Sequence, residues 1–323
     1  MLTPLYYNDQ NPAYLGILRT DKIFFSNSGN HFVFPAMMGA TINYFTSLYI
    51  QEKNVTLAEM DSNVNFGYSF PVGDNLGFSL EGLFSSPFNS ANEGDKVYIF
   101  GPPEPIQSSQ NIRWILGGIV SVGYKIFDSL AVGLGVSIYA QTPDFFQTAL
   151  LKFGFNAGIL YRNIDESFIF DTRIGYGNGD EGIINIDTLN QEDIKSVNLP
   201  IFNENTFTFA FNKKDTFFIV KQINYICIDR IYYYGSILPA IEHFFADWFS
   251  LRVGIEGSYA LLNESHNLGF GILSGITFRS GNFDIDINIS YRLRPSRMVE
   301  ELLYPDFNVL IILSWNDVFI SRE

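Results

Sequence analysis

Side chains alternate along this chain between large apolar residues and small or polar ones, with a period of two residues. In the segment 113–126 every second residue from Trp114 to Ile126 is apolar apart from one glycine, whereas the residues between them are mixed. The segments 249–260 and 283–293 repeat the pattern, with their charged residues confined to one face. Because a period of two places successive side chains on opposite faces of a β-strand, the chain is predicted to be all-β.

The polar face of these strands combines glycines with charges. The chain is 16% aromatic and only 17% charged, below the usual charged share of about a quarter. A soluble β-sandwich would also alternate, but glycine and opposite charges together are typical of the enclosed side of a transmembrane barrel. No apolar run reaches the roughly 18 residues that a membrane-spanning helix needs. We therefore expect an antiparallel transmembrane β-barrel.

Counting the alternating runs predicts about 14 strands, an even number as single-chain bacterial barrels have. Short turns such as 127–129 and 280–282 alternate with longer connections, notably 89–112, 177–203 and 294–305. This alternation places both chain ends on the short-turn side. The predicted strands are 32–50, 54–70, 75–88, 113–126, 130–141, 148–162, 167–176, 204–212, 216–226, 231–244, 249–260, 267–279, 283–293 and 306–317.

The domain organisation follows from these strands. Residues 1–31 lack sustained alternation and are predicted to form a plug inside or beneath the barrel, with an untethered tail as the alternative. Residues 32–317 would form the barrel, and residues 318–323 a short C-terminal extension. The N-terminus, Met1 to Pro4, shows no basic segment followed by an apolar one, so no signal peptide is visible.

Several sequence elements resemble the FadL-type long-chain fatty-acid transporters of the bacterial outer membrane. Asn11, Pro12 and Ala13 resemble the family's NPA element, and 75–88 resembles its strand that ends in a small-Pro-Phe element. The segment 123–135 is similar to the hairpin that follows. The resemblance covers 11–141 and implies a fourteen-stranded barrel with an N-terminal plug, through which hydrophobic ligands pass from outside and leave sideways into the membrane.

Charged residues on the polar faces of the strands are predicted to line the lumen, where they could pair with one another, hold the plug or meet a carboxylate headgroup. These lumen candidates are Glu81, Lys152, Arg173, Arg252, Glu256, Asp284, Asp286 and Arg292. The loop 89–112 contains an apolar run that consists of Val97, Tyr98, Ile99 and Phe100. This run could form an apolar ligand entrance, although packing of the loop explains it equally well.

These features favour passive uptake of hydrophobic or amphipathic molecules such as long-chain fatty acids across the outer membrane, with membrane lipid and the ligand as partners. The alternatives are a barrel that anchors or shuttles secreted proteins, or a general diffusion porin. A net charge of −14 disfavours nucleic-acid binding. The lone Cys227 and the scattered His31, His243 and His266 suggest neither a metal site nor another cofactor. No catalytic motif is visible, so the protein is expected to be a non-enzyme and a monomer.

Overall fold

A computed structural model of the chain describes residues 11–30, 60–88, 114–142, 150–176, 201–211, 215–227, 232–262, 265–295 and 303–316. It begins with a short 3-10 helix, Pro12–Ile17, which we call the inner helix. Fourteen strands follow: β1 Lys22–Asn30, β2 Met60–Val72, β3 Leu76–Phe88, β4 Trp114–Phe127, β5 Leu130–Thr142, β6 Leu150–Arg162, β7 Phe168–Tyr176, β8 Ile201–Phe211, β9 Thr216–Cys227, β10 Tyr232–Ala246, β11 Phe249–Leu262, β12 Ser265–Ser280, β13 Phe283–Pro295 and β14 Leu303–Asn316.

The strands form one closed barrel in which each strand pairs with its neighbours in sequence. All pairs are antiparallel, and β1 closes the ring by pairing with β14 from Lys22 opposite Asn316 to Asn30 opposite Asn308. Closure satisfies the backbone donors and acceptors of both edge strands, which hydrocarbon could not do. The predicted fourteen-stranded antiparallel barrel is confirmed.

The alternation of the sequence becomes two faces of the wall. On β11 the side chains of Leu251, Val253 and Ile255 point outward and are 39%, 56% and 61% exposed, whereas Arg252 and Glu256 point inward and are buried. Large apolar side chains are exposed in the same way on strands around the ring. Such an outer surface is suited to lipid, and the inner one to a polar lumen.

Tight turns join the strands at the rim where the inner helix lies. Gly73 and Gly281 adopt φ values of 65° and 61° in the β2–β3 and β12–β13 turns, a conformation that glycine adopts without steric cost. Glu166 adopts a φ of 54° between β6 and β7. The first residue of β1 and the last residue of β14 lie at this same rim. Both ends of the barrel segment are therefore on the short-turn side, as the alternation of short and long connections predicted.

The first strand differs from the prediction. The structure places 22–30 in the barrel wall, so these residues do not belong to an N-terminal plug of 31 residues, and the barrel begins before residue 32. The second half of β1, from Ser26 to Asn30, is small or polar on both faces and shows no apolar alternation. Its place is set by pairing with β2 and β14, which no local pattern reveals. The predicted strand 32–50 and the extension 318–323 lie outside the described residues.

One strand contains a proline in its interior. Pro239 of β10 faces Val220 of β9, but the paired residues between β10 and β11 stop at Ile237 with Gly257 and resume at Ala240 with Gly254. Because proline has no backbone N–H to donate, one rung of the ladder is lost there. None of the helical segments in the described ranges is long and apolar enough to cross a membrane.

Candidate functional site: the lumen and its inner helix

Asn11 ties the N-terminal segment to the inner wall. It is the N-cap of the inner helix, and its Oδ1 accepts a hydrogen bond from the backbone N–H of Ala13 at 3.0 Å. Its Nδ2 donates to Asp171 Oδ1 at 3.3 Å and to the carbonyl of Thr172 at 3.2 Å. Asparagine suits an N-cap because its side-chain oxygen satisfies an N–H that the helix leaves unpaired, and Pro12 at the first helical position needs no N–H partner.

Asp171 on β7 holds the same segment with both oxygens. Its Oδ2 accepts from the hydroxyl of Tyr14 at 3.1 Å, in addition to the bond from Asn11, and the side chain is buried. Asp171 is not among the lumen residues predicted from the sequence. The period of two could have identified it, because Asp171 is two residues before Arg173 and therefore lies on the same inward face of β7.

Four glycines in one row across β3 to β6 make room for the inner helix. Gly77 pairs with Gly123, Gly123 with Gly133, and Gly133 with Gly158. A Cβ added at these glycines would lie 2.1 Å from the oxygen of Leu15, 2.3 Å from the oxygen of Pro12, 2.2 Å from the carbonyl carbon of Pro12 and 1.8 Å from Asn11 Oδ1, respectively. The helix backbone therefore rests directly on the backbone of the wall.

Apolar contacts complete the attachment. Ala13 packs in a buried cluster with Ala131 of β5, Leu160 of β6 and Ile169 of β7, and Tyr14 and Ile17 pack against it. Together with the hydrogen bonds to Asp171 and the row of glycines, this cluster fixes Pro12–Ile17 against one side of the barrel at the short-turn rim.

Paired charges line the wall beside the inner helix. Arg173 contacts Glu204 of β8 at 3.0 Å and lies over the ring of Phe202 at 4.7 Å from its centroid. Lys221 of β9 approaches the same glutamate at 3.9 Å. Buried charges without partners are costly, so pairing is the first role of these groups.

A second polar network crosses β10 to β13. Arg252 donates to Glu242 at 3.2 Å and to Asp286 at 3.5 Å, and it also binds Asn288. Ser250 donates to Glu242 at 2.8 Å, and Thr277 donates to Asp286 at 3.1 Å. All of these side chains except Asn288 are buried. The guanidinium of Arg252 on β11 thus bridges a carboxylate on β10 and a carboxylate on β13.

The remaining lumen candidates are placed as follows. Arg292 lies 2.7 Å from Glu256, which also accepts from the hydroxyl of Tyr234 at 3.1 Å. Asp284 lies 3.9 Å from Arg279, and Glu81 accepts from Ser79 at 3.0 Å. The backbone of Lys152 lies in β6, but its side chain is outside the described part. Val97, Tyr98, Ile99 and Phe100 lie outside the described residues.

Two apolar clusters share the inner wall with these charges. Phe202, Tyr234 and Ala260 form one, and Phe217, Ile219 and Phe244 form the other. The inner side of the wall therefore contains buried aromatic rings as well as ion pairs.

These features define a membrane-spanning β-barrel whose N-terminal segment folds into its own lumen. No protein family model and no curated protein matches the sequence. Among solved structures, the Pseudomonas putida toluene transporter TodX is similar at 12% identity and a TM-score of 0.57, with 96% of this chain and 92% of that chain covered. A Pseudomonas aeruginosa FadL homologue is similar at 10% identity and a TM-score of 0.57, covering 96% and 93%.

A third structure has the same general fold. A bacterial polysaccharide outer membrane secretin is similar at 7% identity and a TM-score of 0.53, covering 92% of this chain and 98% of that chain. Likeness at these identities establishes the fold. The outer-membrane barrel expected from the resemblance to FadL-type proteins is the fold found here.

Proposed function

We propose that this protein lies in the bacterial outer membrane and allows passive entry of hydrophobic or amphipathic small molecules through its lumen. The observation that carries the proposal is the inner helix docked on its row of glycines inside a closed, outwardly apolar barrel. A wall that is shaped to hold its own N-terminal segment supports a lumen in which this segment restricts the passage of molecules. A wide water-filled pore would need no such fit.

The composition of the inner wall supports a hydrophobic ligand. The rings of Phe202, Phe217 and Phe244 are buried on the inner face. The charges beside them are paired and neutralise each other. This mixture resembles the composition of ligand sites, which are mostly apolar with a few oriented polar groups. Toluene is what TodX is named for transporting. Here monoaromatic hydrocarbons and long-chain fatty acids are the first two ligand classes to test.

The proposal requires no catalysis, no cofactor and no nucleic acid, and its partners are membrane lipid and the ligand. Because one chain closes the barrel by itself, a single chain is the transporting unit in this proposal.

Uptake by cells tests this function. A strain that lacks its own hydrophobic-compound channels would express the chain and receive radiolabelled toluene or oleate at low concentration. Faster uptake than in a strain expressing an unrelated small barrel is expected for at least one of the two compounds. Equal uptake of both, together with a large ion conductance in planar bilayers, would identify a general diffusion channel and overturn the proposal.

A further inference from the structure

Polar side chains interrupt the apolar outer wall on three adjacent strands. We call them the amide patch: Thr172 on β7, Asn203 and Asn205 on β8, and Gln222 and Asn224 on β9. They point outward, because the residues that alternate with them, Arg173, Glu204 and Lys221, meet in an ion-pair cluster on the inner face. Elsewhere among the described side chains, outward polar groups other than tyrosine hydroxyls are Ser274 on β12 and residues near strand ends such as His243 and His266.

Hydrogen bonds connect the side chains of the patch across strands, but they do not use all of its donors and acceptors. Thr172 Oγ1 donates to Asn205 Oδ1 at 2.8 Å, and Asn205 Nδ2 donates to Asn203 Oδ1 at 2.7 Å. Asn203 Nδ2 donates to the carbonyl of Arg173 at 3.4 Å, and Asn224 accepts from Tyr233 at 2.9 Å. A primary amide has two N–H donors and an oxygen with two lone pairs. These bonds therefore use only part of the capacity of the patch, and Gln222 is exposed beside them.

The depth of the patch makes that unused capacity matter. Asn205 and Phe211, the last residue of β8, are separated by about 15 Å along the barrel axis, at about 3.3 Å per residue and a tilt of about 40°. The apolar band of such barrels is about 25 Å tall, so Asn205 lies within it. Hydrocarbon offers neither donors nor acceptors at this depth.

We propose that the amide patch binds the same patch of a second copy of this chain. Amides donate and accept at once, so a patch of them is complementary to itself, as a two-fold interface requires. Because both copies insert into the membrane in the same direction, the two-fold axis runs along the membrane normal and each amide meets groups at its own depth. Polar side chains join membrane segments by such hydrogen bonds.

Apolar side chains around the patch complete the interface. Ile174, Ile201 and Ile226 are 51%, 38% and 46% exposed and flank the amides on β7, β8 and β9. This pairing differs from the monomer expected from the sequence. Each barrel keeps its own lumen, so the transport proposal does not depend on this pairing.

Mass measurement tests the pairing. The full chain would be studied by native mass spectrometry from detergent and by single-molecule photobleaching in lipid nanodiscs. We expect twice the chain mass of 36.6 kDa. The double variant Asn205→Leu/Gln222→Leu should shift to the mass of one chain. Ser274→Leu, which makes the same kind of change on β12, should keep the pair. Circular dichroism of all three proteins checks that the barrel is folded.

Disulfide trapping adds a positional readout. In a Cys227→Ser background, Asn205→Cys should form a cross-linked pair under mild oxidation in membranes, and Ser274→Cys should not. A wild-type chain that is single in both detergent and nanodiscs overturns the proposal, as does equal cross-linking at both positions. A single chain carrying bound lipid on the patch would assign the patch to lipid instead and also overturn it.

Discussion

Gly158 and Asn11 meet at the closest contact between the inner helix and the wall. A Cβ at Gly158 would lie 1.8 Å from Asn11 Oδ1, and Asn11 cannot swing away without losing its bonds to Asp171 and Ala13. Gly257, on the outward face of β11, has nothing within 4 Å of an added Cβ. These two glycines separate the effect of the contact from the effect of replacing a glycine in a strand.

Gly158→Ala should therefore weaken the attachment of the inner helix, whereas Gly257→Ala should not. Overpacking of this kind costs about 1–3 kcal/mol. Hydrogen–deuterium exchange at the backbone amides of residues 13–17 should become faster in Gly158→Ala and remain unchanged in the Gly257→Ala control. Equal exchange rates in the two variants would contradict the tight fit described here.

Asp171→Leu should release the same segment by a different route. The substitution removes the acceptor for Asn11 and for Tyr14 at once, and hydrogen bonds to a charged group contribute roughly 1.5–3 kcal/mol each. Limited proteolysis should cut near residues 11–17 faster than in the wild type. Asp171→Asn keeps the shape and one acceptor oxygen, so its rate should lie between the two. A wild-type rate in Asp171→Leu would show that the glycine row and the apolar cluster hold the helix alone.

Much of the lumen was predictable residue by residue, because the period of two assigns every strand side chain to a face. It put Arg252, Glu256 and Asp286 on one side of the wall, where the structure has them. It could not show which carboxylate each arginine meets, since that depends on register. The roles of Asp171 and the glycine row could not be predicted, because they are set by contacts with the inner helix. These wall residues lie more than 50 residues away from the inner helix in sequence.

Strands β10 to β13 are joined across the lumen face by one side chain. Arg252 contacts Glu242 on β10 and Asp286 on β13, and it is itself on β11. The interaction therefore spans three strand interfaces and stabilises this part of the wall beyond its backbone ladder.

Arg252→Met should destabilise the barrel strongly, because it leaves two buried carboxylates without their cation. Breaking a buried ion pair in this way costs about 3–5 kcal/mol. The midpoint of guanidinium unfolding in micelles should fall. Adding Glu242→Gln and Asp286→Asn to the same chain removes the unpaired charges and should restore most of the loss. If the triple variant is no more stable than Arg252→Met, the loss comes from packing and the electrostatic explanation is wrong.

At the level of whole strands, the sequence predicted thirteen of the fourteen described strands with ends within six residues and missed β1. The strands that were found, such as β11 and β13, alternate clearly because lipid and lumen demand opposite side chains on their two faces. From Ser26 to Asn30, β1 has small and polar residues on both faces. It is a strand because it pairs with β2 on one side and with β14 on the other. This tertiary cause is not visible in the local sequence.

Closure of the whole ring depends on that least recognisable strand. β1 pairs with β2 over nine residue pairs, from Lys22 with Ser69 to Asn30 with Asp61, and with β14 over a similar length. The same short stretch of chain also connects the wall to the inner helix, which ends at Ile17. The inner helix and the closing strand are thus neighbours in sequence with separate structural roles.

Two deletions should separate those roles. Removing residues 1–20 takes away the inner helix but leaves β1 intact, so the barrel should fold, and its ion conductance in planar bilayers should rise above that of the full chain. Removing residues 1–30 also deletes β1 and exposes the edges of β2 and β14 to hydrocarbon, where each unpaired backbone group costs several kcal/mol. The longer deletion should therefore fail to insert as a stable barrel, which loss of the protease-resistant form would reveal. Unchanged conductance after the shorter deletion would mean that the inner helix does not obstruct the lumen.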